Sequence, residues 1–147
     1  MNKRKVDDLI PQAYEVLKTA GIVEKDENGE FTGKIDSAWR GQISSFGAST
    51  AQGSLLAAVS FFSAKSEKTK VEDRSKLMNA IFLLLPEEDK DGNTRLFDYV
   101  VNMKKLKKEH EAKQKIINAA VSLKLAMNLY DLGKGGGKDA EPEENES

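Results

Sequence analysis

Ser44–Glu67, SSFGASTAQGSLLAAVSFFSAKSE, is the stretch that decides the fold class. Leu55, Leu56, Val59, Phe61 and Phe62 recur at helical spacing, so residues 50–64 are expected to form a helix that buries these five and is capped by Ser49. Just upstream, Trp39, Ile43 and Phe46 stand at i, i+4 and i+7, the spacing of one helical face. Asp36 or Ser37 is placed to cap that shorter helix, and Gly47 to break it. Two amphipathic helices in about thirty residues, with no alternating apolar pattern, point to a helical domain.

The same periodicity extends in both directions. Leu9, Ile10, Ala13, Tyr14, Val16 and Leu17 predict a helix over about 7–19, with an Asp7 or Asp8 cap, Pro11 in the first turn and Gly21 at the end. Asn28-Gly29 between Val23 and Phe31 is a type I′ turn signal, so a small hairpin or ordered loop is expected within 22–35. Glu72 or Asp73 opens a helix carrying Leu77, Met78, Ile81, Phe82 and Leu85, which Pro86 stops. EEDKDGN (87–93) is expected to be a loop. Asn93 or Thr94 then caps a helix with Leu96, Phe97, Val100 and Val101. The last helix holds Ile116, Ile117, Ala120, Leu123, Met127 and Tyr130 and ends at Gly133; no breaker between Met103 and Glu111 separates it from the helix before. The expected architecture is all-α: one bundle of five to six helices over 1–132, followed by a glycine-rich, acidic and disordered tail over 133–147.

The chain of 147 residues is long enough for one real core. Its formal net charge of −1 hides an asymmetry, because the tail carries five acidic residues against Lys134 and Lys138. The absence of cysteine removes disulfides and thiolate catalysis. One histidine, His110, is too few for the usual zinc sites and sits in the charged run KKEHEAK. Neither Glu109 nor Glu111 beside it suggests a buried acid–base site. MNKRKVDDLIPQ lacks the apolar run of a signal peptide, and the apolar block 80–85 is too short to cross a bilayer. A cytoplasmic protein with no membrane contact, no cofactor, no metal and no small-molecule substrate is expected.

Two motifs fail on inspection. Glu87–Asp98 places acids at positions 1, 3 and 5 and Gly92 at position 6 of a calcium loop, but position 1 is Glu, position 8 is Thr94 and position 12 is the short Asp98. GKGGGK (133–138) has neither the preceding strand nor the following Ser/Thr and helix of a phosphate loop. Asn118 and Ser122, polar at i and i+4 on an apolar helix, suit interhelical hydrogen bonds or an exposed flank.

The basic residues carry more. MKKLKKEHEAKQK (103–115) has six lysines against two glutamates, and AKSEKTKVEDRSK (64–76) five positive against three negative charges. With Arg40 and Lys124, they would form one stripe able to grip phosphates without reading bases, if both runs lie on one side of the bundle. Taken singly, each is an ordinary solvated face.

Ala38–Glu67 resembles the central segment of the small all-helical subunit of the type III-B CRISPR effector, the Cmr complex. The shared features are Trp39-Arg40 on a short helix, a break near Phe46-Gly47, Gln52-Gly53, the apolar run Leu55 to Phe62, and Lys65; Leu123-Lys124 resembles the family's last helix. Two positions depart: Ser54 separates Gly53 from Leu55, and Gly47-Ala48 stands where the family carries proline. The resemblance implies a non-catalytic subunit. Its partners would be the other Cmr subunits, neighbouring copies of itself and, through phosphates, the guide RNA–target RNA duplex. The residues assigned to those phosphate contacts are Arg40, Lys65, Lys68, Lys70, Lys104, Lys105, Lys108 and Lys124. A stand-alone helical scaffold or regulator that binds a protein through apolar grooves is the alternative.

Overall fold

Asn2, not Asp7 or Asp8, opens the first helix: its side chain accepts the backbone N–H of Lys5, at 3.1 Å. In the computed structural model, which describes residues 1–64 and 73–133, the elements are α1 (Lys3–Thr19), β1 (Lys34–Asp36), α2 (Ala38–Gln52), α3 (Leu55–Phe62), α4 (Ser75–Leu83), α5 (Glu87–Lys90), α6 (Leu96–Lys105), α7 (Glu109–Met127) and β2 (Asp131–Gly133). The fold is all-α, as the periodicity predicts. Seven helices rather than five or six are described, the addition being α5, a single turn where a loop is expected. Glu87, Glu88 and Asp89 fill that turn and suit its positive end.

The early start of α1 puts Pro11 in the helix interior instead of the first turn. Pro11 is exposed, so its ring meets solvent, and the helix is held from the other side by α7. Three cross-helix bonds make that contact: the Asn2 backbone N–H donates to Asn118 Oδ1 at 2.9 Å, Ser122 Oγ to the Val6 carbonyl at 3.1 Å, and the Tyr130 hydroxyl to the Tyr14 carbonyl at 2.6 Å. Each pair is separated by 116 residues, so α1 and α7 run parallel and in constant register. Asn118 and Ser122 are both buried in this seam. Asn118 Oδ1 accepts and Ser122 Oγ donates there, so neither buried polar side chain is left unpaired. Tyr14 and Tyr130 stack at 4.5 Å between centroids and close the seam at its far end.

The decisive stretch folds differently from its periodicity. Gly47 and Ser49 lie inside α2, and the break falls at Gly53-Ser54, where Ser54 Oγ accepts the Ala57 N–H at 3.0 Å. On one continuous helix, Phe46 and Phe62 would be ~24 Å apart. Their rings meet edge to face at 5.4 Å, so α3 folds back along α2. Core packing across this corner selects the break. Phe61 points outward, 61% exposed rather than buried, with the Arg74 guanidinium over its ring at 4.5 Å.

Two further boundaries differ. α6 and α7 are separate helices, joined at a sharp corner through Leu106–Lys108. α7 ends at Met127, not Gly133, and residues 131–133 form β2, which pairs in parallel with β1 (Ile35 opposite Leu132). The 22–35 segment is an ordered loop with one antiparallel bridge, Lys25 to Phe31. Its turn is set by Asp26, whose carboxylate accepts the N–H groups of Asn28 and Glu30, and only Gly29 is left-handed, so it is not type I′. No helix among the described residues is long and apolar enough to cross a membrane. Lys65, Lys68 and Lys70, and the tail from 134 onward, lie outside the described residues.

Candidate nucleic-acid interface

The corner between α6 and α7 is built from a lysine in an unusual conformation. Lys107 has φ +62°, the one left-handed residue other than glycine among those described. The Lys108 N–H bonds back to the Met103 carbonyl at 2.8 Å, and the Lys107 N–H to the Lys104 carbonyl at 3.0 Å. This pair of bonds is the Schellman closure of a helix end, and glycine is its usual left-handed residue. An L side chain there costs about 1–2 kcal/mol.

The closure gathers Lys104, Lys105, Lys107 and Lys108 at the C-terminus of α6, all exposed. The negative end of the helix offsets part of their mutual repulsion. Lys104 is 3.8 Å from Glu109, a loose surface pair. Lys107 is absent from the residues the sequence singles out. The uninterrupted run MKKLKKEH contains no residue that announces a turn, so its lysine count was legible and its geometry was not.

The other predicted contacts do not join this cluster. Arg40 sits in the first turn of α2, half-buried, next to the strand pair, where the Ser37 N–H bonds the Gly133 carbonyl. Its Nε is buried and has no hydrogen-bond partner among the described residues. Lys124 is half-buried near the C-terminal end of α7, ~24 Å along the helix from Lys108. The single stripe expected from sequence is therefore, among the described residues, one lysine corner plus two separate cations.

Two acids of the Glu87–Asp98 segment have side-chain partners. Asp98 accepts from the Thr94 hydroxyl at 2.8 Å and from Arg95 at 3.4 Å. The Thr94 bond holds its carboxyl below the ordinary range. Asp89 pairs with Lys115 at 2.7 Å. Asp89 and Asp98 of the calcium-like segment therefore point to different partners, and among the described residues no three acidic or histidine groups are placed to hold a metal ion. His110 is exposed on the first turn of α7. A shallow apolar cleft of about 740 Å³ lies between Leu9, Pro11 and Val16 of α1 and the Leu83–Pro86 corner.

Comparison with protein-family models, curated proteins and solved structures finds no match for the chain.

Proposed function

We propose that this chain is a non-catalytic small subunit of a type III-B CRISPR effector, the Cmr complex, acting in the cytoplasm in antiviral defence. It stacks along the backbone subunits, beside copies of itself, and helps hold the guide RNA–target RNA duplex. The observation that carries the proposal is the lysine corner. Four exposed lysines held together by a left-handed turn form a compact cationic point, matched to a phosphate backbone rather than to base edges. The likeness of Ala38–Glu67 to the family supports it apart from the break near Phe46-Gly47, which lies instead at Gly53-Ser54, and the all-helical fold is compatible with it.

Lys104, Lys105 and Lys108, with Lys107, make the phosphate contacts at this corner. Arg40 and Lys124 contribute separately, and Lys65, Lys68 and Lys70 belong to the same proposed contact set. The apolar cleft beside α1 is the feature that favours the alternative, a helical scaffold for a protein partner.

The test is the joint reversal of Lys104, Lys105 and Lys108 to Glu in the assembled complex. Target-RNA affinity is expected to fall and its salt dependence to flatten by roughly two to three in the log–log slope, at about 0.7–0.9 for each phosphate no longer neutralised. Unchanged affinity and slope would remove these lysines from the interface.

A further inference from the structure

A second cleft, of about 410 Å³, opens between α5, the 91–95 loop, α6 and the start of α7. Four carboxylates line it, Glu88, Asp89, Asp91 and Glu111, against Lys108 and Lys115. Lys115 is taken by Asp89. The remaining lining is acceptor-rich and net negative, which repels phosphates and other anions.

At the base lies Tyr99. The residue is 2% exposed, and its hydroxyl is buried with no hydrogen-bond partner among the described residues. Burial, then the charges of Asp89 and Glu111, push this phenol well above its ordinary value, so it stays neutral. Tyr99 lines the cleft together with Asp89 and Glu111, the two acids whose charges act on its hydroxyl. A buried, unpaired hydroxyl is destabilising. The neighbouring amides are already engaged: Asn102 Nδ2 donates to Asn93 Oδ1 at 2.7 Å, and Asn93 Nδ2 to the Asp89 carbonyl at 2.9 Å. Apolar surface is supplied by Met103 and by Leu106, the latter 63% exposed.

We propose that this cleft binds an alkyl polyamine cation, with one ammonium among Glu88, Asp91 and Glu111, reaching the Tyr99 hydroxyl, and the hydrocarbon stem along Met103 and Leu106. An ammonium brings three donors and no acceptor, the complement of this lining. A methylene chain covers the exposed leucine as a lysine stem does. The cleft shares Lys108 with the proposed RNA contacts but does not rest on them, and its test needs no RNA.

Isotope-labelled full-length protein is titrated with spermidine, and with butane-1,4-diol as the uncharged control, by heteronuclear NMR. Saturable shifts are expected at the Asn93 and Asn102 side-chain amides and at Glu111 with spermidine, and none with the diol. Tyr99→Phe should weaken spermidine roughly tenfold, the loss of one hydrogen bond to a charged group. Glu111→Gln, at an exposed position, should weaken it about two- to fivefold. Asp131→Asn, an exposed acid outside the cleft, should leave the affinity unchanged. Shifts that do not saturate, that the diol reproduces, or that respond equally to Asp131→Asn and Glu111→Gln would overturn the site, as would full affinity in Tyr99→Phe.

Discussion

Replacing Lys107 by glycine should stabilise the protein although it deletes a side chain. Lys107 holds φ +62° in the closure of α6, where a Cβ costs about 1–2 kcal/mol. Glycine removes that cost but has more freedom to lose on folding, about 0.5–1 kcal/mol. The net gain is about 0.5–1 kcal/mol. Relief of repulsion from Lys104, Lys105 and Lys108 adds a small, salt-screened increment. For a chain of 147 residues this is a rise in Tm of about 2–4 °C per kcal/mol, read by far-UV circular dichroism. Lys107→Ala is the decisive control: it deletes the same charge but keeps the Cβ, so it should show only the small electrostatic part, which disappears at high salt. A Lys107→Gly variant that melts no higher than Lys107→Ala would refute the left-handed corner, and with it the reason the lysines cluster.

Other substitutions locate the remaining boundaries. Ser54→Ala should cost about 1 kcal/mol by removing the cap on α3, and Ser49→Ala, inside α2, should cost far less; urea denaturation compares them. Gly47→Ala should stabilise by about 0.5–1 kcal/mol, because Gly47 lies in a helix interior and nothing lies within 4 Å of an added Cβ. A loss of stability there would restore the break to Gly47. Tyr99→Phe should raise Tm, since it removes a buried unpaired hydroxyl worth about 1–3 kcal/mol. At alkaline pH the two raised tyrosines contribute a loss of stability. Tyr99 and Tyr130 ionise in the unfolded chain near 10.0 and later in the fold. Their contribution is therefore complete below that pH and is lost as pH rises above it. Urea unfolding on either side of about pH 10 should show this loss, and Tyr130→Phe should show less of it.

Helix content was legible because burial imposes a 3.6-residue period on Leu9 to Leu17, Leu77 to Phe82 and Ile116 to Met127. Boundaries were less so. The segment 47–54 offers two glycine-plus-serine breaks, and the Ser54 cap on α3 together with the packing of Phe46 on Phe62 goes with the second. Lys107 turns without glycine: α6 packs on α3 and α4 while α7 packs on α1, α2 and α4, so the corner between them is fixed by tertiary contacts and the strain is absorbed locally. The β1–β2 pair joins two three-residue segments almost a hundred residues apart, too short for an alternating pattern to emerge. Of the candidate site, the lysine run was plain from composition, whereas its separation from Arg40 and Lys124 depended on the direction of α7. Tyr99 was invisible in LFDYVV, where it reads as one more core residue; the acids that act on it come from α5 and α7.

The proposed role is tested most directly by co-expressing the tagged chain with the other Cmr subunits and a guide RNA, then measuring by native mass spectrometry what co-purifies. The proposal predicts a stoichiometric assembly that contains this chain, the backbone subunits and the guide. Recovery of the chain alone, with the remaining subunits assembling around the guide without it, would contradict it.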